Sequence, residues 1–373
     1  MKKFLSLVLA LVMTMSLVTV SAGAKDFTDD SEITYKEAVD VISALGVVDG
    51  YSDGDFRPDD VLTRGAAAKI ICNLILGPTT ASYLSADTAP FKDVPVTNVF
   101  AGYITYCSQQ GIISGYADGT FRPTGTLSGN AFMKMLLGAL GYDSSIEGYT
   151  GANWSIAVGK RALGIGLDDG NDNFVGVNAV TREEACLYAF NTLKATMVDY
   201  DQKITTNVNG VDVTISQGNA KPVTWTEGIN EDGNIKDDGY VQFAEEYFNK
   251  LVKESDIADD FGRPATKWIY KGVKIGTYSK TADVTYTENV KLGTIYADLK
   301  MSDKDDKAVV YVDGEQAVDF ANVKKGNDMK LADVKFDAND DCNVGNGTLT
   351  EVYLDRDPNK VTIVCINTYV AEI

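Results

Sequence analysis

Histidine is absent from the 373 residues, and that one fact removes most nucleophilic chemistry. A Ser-His-Asp or Cys-His arrangement needs an imidazole to take the nucleophile's proton, and many zinc and iron sites need it as a ligand. Carboxylate pairs for glycoside hydrolysis stay available, but with 53 acidic residues no sequence pair is informative. Asp49, Asp53 and Asp55 invite a calcium reading, yet they lack the spacing and terminal glutamate of a calcium loop, as does the run from Asp168 to Asn173. Turn chemistry accounts for both. Cys72, Cys107 and Cys186 lie in apolar helical surroundings without any Cys-x-x-Cys, so they read as buried free thiols rather than a metal or redox centre. The expectation is a non-enzymatic chain that needs no cofactor.

Two arginines offer binding chemistry instead. Thr63-Arg64 and Thr181-Arg182 each place a guanidinium directly behind a hydroxyl residue suited to cap a helix. In the first helical turn an arginine sits beside unpaired backbone donors and the positive end of the helix dipole, so one carboxylate can receive guanidinium and amide contacts together. The other reading of both is a solvated first-turn charge. Trp154, near the start of a helical segment, is suited either to stack on a sugar ring or to pack in a core.

The elements that carry these residues repeat. Gly50-Tyr51-Ser52-Asp53-Gly54-Asp55-Phe56-Arg57-Pro58 recurs as Gly115-Tyr116-Ala117-Asp118-Gly119-Thr120-Phe121-Arg122-Pro123, at an offset of 65 that also relates Gly46 to Gly111 and Leu62-Thr63 to Leu127-Ser128. A fainter third copy keeps register at an offset of 53, with Gly164, Phe174 and Val180-Thr181 matching Gly111, Phe121 and Leu127-Ser128. Each unit reads as helix, turn-rich loop, helix. Tyr35, Val39, Ile42 and Leu45 recur at helical spacing and Gly46 stops the run. Phe56 and Phe121 are expected to plug their loops onto the core. Thr63, Ser128 and Thr181 are expected N-caps, with Thr181 and Glu184 forming a capping box. No single unit can bury its own apolar face, so the units should pack as one domain.

The string Gly-Tyr-x-Asp-Gly-x-Phe-Arg-Pro followed by Leu-Thr-Arg, or Val-Thr-Arg-Glu-Glu-Ala in the third copy, resembles the S-layer-homology family, as do Phe27-Thr28-Asp29 and Phe91-Lys92-Asp93-Val94-Pro95. The resemblance covers about half the chain. It implies a pseudo-three-fold arrangement with one central helix per repeat, and grooves between repeats that bind a pyruvylated secondary cell-wall polymer linked to peptidoglycan. It further implies that Arg64 and Arg182, behind Thr63 and Thr181, meet the ligand's acidic group. The second copy departs from the family, since Ser128-Gly129-Asn130-Ala131 carries no arginine. Arg57 and Arg122 read as braces of their loops.

Residues 1–24 read as a cleaved signal peptide: Lys2 and Lys3, an apolar stretch from Phe4 to Val20, then Ala22-Gly23-Ala24. A retained anchor is the alternative, but the stretch is short of the roughly 20 apolar residues that a span needs. No later segment has that length and apolarity, so a soluble secreted chain starting near Lys25 is expected. Loss of the two lysines takes the net charge from −19 to −21. No run is basic, which argues against nucleic acid as a partner.

The expected organisation is α+β: repeats at 25–78, 89–143 and 149–200, then a β-rich domain at 201–373. That second half should hold a hairpin across Lys203 to Ile215 around Asn209-Gly210 and a helix over Tyr240 to Lys253. Strands are expected at Trp268 to Ile275, Asp283 to Tyr286, Ala308 to Val312, Leu349 to Leu354 and Val361 to Val370, the last as an edge strand or the stump of a longer protein. Phe261-Gly262-Arg263-Pro264 reads as a tight turn. The function expected is non-covalent anchoring in the cell wall or S-layer of a Gram-positive-type bacterium, with self-assembly open. A wall hydrolase and a carbohydrate- or protein-binding module in the C-terminal half are the alternatives.

Overall fold

The computed structural model describes residues 24–200, 204–208, 211–215, 218–226, 234–287, 297–299, 307–316, 329–330, 348–355 and 360–367. The expected leader lies outside them apart from Ala24. Among the described residues no helix is long and apolar enough to cross a membrane. The protein is α+β, and its chain divides into two compact units: residues up to Val252 with Ile269–Gly276, and Lys253–Trp268 with everything from Thr277.

Six helices build most of the first unit: α1 (Lys36–Ala44), α2 (Arg64–Leu76), α3 (Ala101–Gln109), α4 (Gly129–Ala139), α5 (Trp154–Gly164) and α6 (Arg182–Lys194). Thr63, Ser128 and Thr181 hold extended backbone and accept from the amides of Ala66, Ala131 and Glu184, and Glu184 returns the bond to complete the capping box. Val39 and Ile42 of α1 are fully buried, and the helix stops at Gly46, whose φ of +73° few other residues adopt without cost. The loop plugs Phe56 and Phe121 are buried, each against the phenylalanine that opens its repeat, Phe27 or Phe91.

The helices do not pack as the pairs that sequence order suggests. Each odd helix lies on the even helix of the preceding unit: α3 on α2, α5 on α4, and α1 on α6. The main chain closes the same circle at the centre. Leu62 N–H donates to Val180 O (2.9 Å), Val180 N–H to Leu127 O (2.9 Å), and Leu127 N–H to Leu62 O (3.1 Å).

The loop arginines brace their own loops. Arg57 pairs with Asp53 and lies 4.1 Å over the ring of Tyr51, while Arg122 pairs with Asp118 at 3.0 Å and lies 4.1 Å over Tyr116. Both hold positive φ, at 57° and 59°, and a carboxylate clasps each bend. Asp29 accepts from the amides of Phe56 (2.7 Å) and Arg57 (2.6 Å), and Asp93 from Phe121 and Arg122 (both 2.7 Å). Burial works against these two charges, but the donated amide hydrogens outweigh it and lower both pKa values. A carboxyl with a folded pKa below its unfolded one stabilises above the unfolded value, near pH 4, and loses that contribution as pH falls through the folded value. Urea midpoints should therefore fall in acid below about pH 4. An Asp29→Asn/Asp93→Asn variant should start lower at neutral pH and show a flatter acid profile; an unchanged profile would deny the clasps any part in acid sensitivity.

The first unit does not end at the expected boundary of 200/201. Val198–Asp199 pairs with Lys221–Pro222, and Val198 donates to Leu140 O (2.9 Å). Met197 donates to Val241 O and Phe243 to Ala195 O (both 2.9 Å), which seats α7 (Phe243–Tyr247) against α6 and α2. The helix expected over 240–253 is thus only five residues long. Tyr240 and Gln242 are drawn into extended bridges with Thr224 and Thr196, Phe248 leaves helical geometry, and Leu251 already opens a strand.

Strands β1 (Ile204–Val208) and β2 (Val211–Ile215) pair as the expected hairpin, Val208 opposite Val211; Asn209-Gly210 lies outside the described residues. Strands β3 (Leu251–Ala258), β4 (Pro264–Tyr270) and β5 (Val273–Ser279) follow one another in a three-stranded sheet. The single run expected over Trp268 to Ile275 is therefore two strands, turned at Lys271-Gly272 with positive φ at both. The Phe261-Gly262-Arg263-Pro264 turn is tied by Asp259, whose carboxylate accepts from the amides of Phe261 and Arg263.

The second unit is organised by a sheet of β6 (Val284–Tyr286), β7 (Lys307–Val312), β8 (Glu315–Gln316), β9 (Met329–Lys330), β10 (Thr348–Asp355) and β11 (Lys360–Asn367), in the order β8-β7-β11-β10-β6 with β9 also on β7. Strand β11, offered by the sequence as an edge, is instead central: antiparallel to β10 and parallel to β7. Its near-continuous apolar run, with Val361, Ile363, Val364 and Cys365 fully buried, is what a strand covered on both faces requires.

Candidate functional site

The cyclic packing decides where the capped arginines go. Arg64 leaves its own unit and reaches into the loop of the next, donating from Nε to Phe121 O (2.8 Å) and from Nη2 to Ser114 O (3.2 Å) while lying 4.4 Å over Phe121 and 5.0 Å over Tyr116. Arg182 repeats the arrangement on the first loop, with bonds to Phe56 O (2.9 Å) and Asp49 O (3.0 Å) and with Tyr51 and Phe56 beneath it. Neither is merely a solvated charge. Each commits two of its five N–H donors to the neighbouring loop and keeps the rest.

One part of the chemistry expected of these positions is ruled out. The first-turn amides that were to join each guanidinium on a carboxylate are already engaged: Arg64 and Gly65 donate to Gly125 O and Pro123 O, and Arg182 and Glu183 to Asp60 O and Pro58 O. A donor occupied by a carbonyl across the junction has nothing left for a ligand. Thr63 and Thr181 each accept one amide hydrogen as caps and keep a hydroxyl donor. At the third junction Gly129 and Asn130 donate to Asn178 O and Gly176 O, but no guanidinium follows. A Cβ at Gly129 would come within 2.8 Å of the Phe174 ring, so that ring occupies the space beside the glycine.

Arg64 opens onto a cleft of about 330 Å³, walled by Tyr116 and Phe121 on one side and by Tyr149 and Trp154 on the other. Trp154 is half-buried and lines the cleft. Opposite it stands Lys134, which the sequence reading missed, with Nζ 5.7 Å from the Trp154 ring centroid. No aspartate or glutamate lines this cleft. Neither Arg64 nor Lys134 forms an ion pair among the described residues. Burial lowers the pKa of both. For Arg64 the neighbouring Arg122 adds to the lowering, while Tyr116 and Asp93 oppose it. The one available clue to Lys134 was its register: the offset of 65 pairs it with Lys69, while the offset of 53 replaces it with Leu187. Cleft and residues together can take a ligand with an acidic group between two cations and a flat face against an aromatic wall.

Residues 26–68 and 90–129 match the S-layer homology domain family. The third segment, 149–200, lies outside the matched residues. Among curated proteins, the chain is 30% identical over 150 residues to the surface layer protein of Brevibacillus choshinensis, a match covering 40% of this chain and 13% of the relative. It is 24% identical over 277 residues to a cell surface protein of Thermoanaerobacter kivui, covering 70% of this chain and 35% of that one. A surface-layer 125 kDa protein of Lysinibacillus sphaericus matches over 387 aligned residues at 23% identity, covering 91% of this chain and 30% of its own length. The chain thus spans between an eighth and about a third of the length of these curated relatives.

Proposed function

We propose that the first unit anchors this chain, without covalent bonds and without catalysis, to an acidic polysaccharide of the bacterial cell wall, so that the chain serves as a surface or S-layer component. The observation that carries the reading is the cleft with two cations, neither in an ion pair among the described residues, and an aromatic wall. A pyruvyl ketal on a wall sugar has the chemistry this cleft would take, a carboxylate for Arg64 and Lys134 on a ring that lies against Trp154. The junction at Arg182 presents the same brace over Tyr51 and Phe56 and is a second candidate. The junction at Gly129, filled by Phe174, is structural. Residues 149–200 are read as a third, degenerate repeat about a pseudo-three-fold axis; the cyclic hydrogen bonds of Leu62, Leu127 and Val180 support that reading.

Sedimentation with purified sacculi tests the proposal. The full chain should pellet with walls that retain their non-peptidoglycan polymer and stay in solution once that polymer is stripped. Equal pelleting with stripped walls would overturn polysaccharide anchoring. Because Arg64 and Lys134 are partly buried, binding should weaken with salt less steeply than a surface ion pair would.

A further inference from the structure

Cys72 of α2 and Cys107 of α3 bring their sulfurs to 3.5 Å, where two helices of different repeats pack together. Both side chains are fully buried. The contact is reciprocal: the Cys72 thiol lies 3.6 Å from the carbonyl of Tyr103, four residues before Cys107, and the Cys107 thiol lies 3.6 Å from the carbonyl of Ala68, four residues before Cys72. Glycines on both helices leave room for neighbouring chain: Gly65 for Phe100, the residue before α3, and Gly102 for the segment at Leu84. A Cβ at Gly65 would come within 2.5 Å of the Phe100 ring, and one at Gly102 would run into the Leu84 backbone.

We propose that Cys72 and Cys107 form a disulfide that staples α2 to α3 when the chain folds in the presence of an oxidant of the low-molecular-weight disulfide class. Two S–H bonds break and one S–S bond forms. The two protons and two electrons reduce one molecule of the small disulfide to two thiols. The sulfurs must close by about 1.5 Å to reach bonding distance, a movement that rotation about the two Cα–Cβ bonds can share. Once the unit has folded, the hydrogen bond with the neighbouring thiol and burial hold the Cys72 proton tightly, and both sulfurs are shut away from solvent, so exchange belongs to the folding stage. Cys186 has no sulfur neighbour among the described residues, and burial pushes its thiol up to about 12. Cys365 is disulfide-bonded elsewhere in the chain. The staple fixes the helix that carries Arg64 against the next repeat, but its existence does not depend on what the cleft binds.

The test refolds the reduced, denatured full chain in oxidised glutathione, blocks remaining thiols with iodoacetamide under denaturing conditions and maps tryptic peptides by mass. Lys92 lies between the two cysteines, so they fall on different peptides. The expected result is a linked pair joining the Cys72 and Cys107 peptides, lighter by two hydrogens than their sum, with Cys186 alkylated. The thermal midpoint of the helical unit should stand about 5–10 °C above that of the chain refolded in reduced glutathione. In a Cys72→Ala variant that increment should vanish while the Cys365 disulfide remains. Recovery of Cys72 and Cys107 each alkylated, or joined to other cysteines, after refolding in the oxidant would overturn the proposal, and that reading needs no variant to fold.

Discussion

Replacing Lys134 by methionine is expected to lower affinity for polymer-bearing walls by about ten-fold while moving the thermal midpoint by no more than about 2 °C. Methionine keeps a flexible apolar stem against Trp154 and removes only the charge. A charge-assisted hydrogen bond contributes roughly 1.5–3 kcal/mol, against the ~1.4 kcal/mol that corresponds to ten-fold in affinity. Arg64→Ala should behave differently. It removes a ligand contact and also strips donors from the carbonyls of Phe121 and Ser114, so binding and stability should fall together, the latter by about 1–3 kcal/mol. The pair of variants separates anchoring from scaffolding, which Arg64→Ala alone does not. An Arg64→Ala/Arg182→Ala double variant should lose more binding than either single one if both junctions take polymer. Sedimentation isotherms on sacculi, run beside calorimetry, give both readouts. Binding by Lys134→Met equal to that of the parent would remove the Trp154 cleft from the proposal.

The largest effect on stability is expected from Phe243→Ala, about 3–5 kcal/mol. Phe243 lies more than forty residues beyond the last expected repeat, yet it is wholly buried and its amide is held by Ala195 O at the end of α6. Urea unfolding followed by far-ultraviolet circular dichroism reports mainly on the helices, so a large shift of that transition would show that residues past 200 belong to the helical unit. A chain cut after residue 200 should be destabilised in the same way. An unmoved helical transition in Phe243→Ala would return the boundary to the position that the composition change at 199–201 suggests.

What could be read in the sequence was local. The caps at Thr63, Ser128 and Thr181, the stop at Gly46, the loop plugs Phe56 and Phe121 and the braces Arg57 and Arg122 all follow from a few neighbouring residues, and the repeat showed which ones to compare. What escaped depends on which strand or helix arrives from elsewhere. The amides of Arg64 and Arg182 looked free because their acceptors, Gly125 O and Asp60 O, belong to other loops. Lys134 carries no local signal of its own, because its partner in the cleft, Trp154, comes from a later segment. The helix expected over 240–253 failed for a related reason: its periodicity is real, but main-chain pairing to Thr196 and Thr224 captures its first turn. For strand β11 the sequence left an edge strand or the stump of a longer protein open because nothing after it signals a turn, although its unbroken apolar run already described a central strand.

The ring of Leu62, Leu127 and Val180 is made from main-chain atoms alone. Its geometry can therefore survive while the side chains around it drift, which fits a third segment that has lost the Gly-Tyr-x-Asp-Gly signature yet still closes the circle. A closed circle also behaves unlike an open stack of repeats. A stack can gain or lose a unit at either end, whereas here every unit is simultaneously first and last, and removal of any one would leave two unmatched faces. Duplication of a single unit accordingly cannot extend such a circle; under the proposed anchoring role, more grip on the wall would take another complete ring.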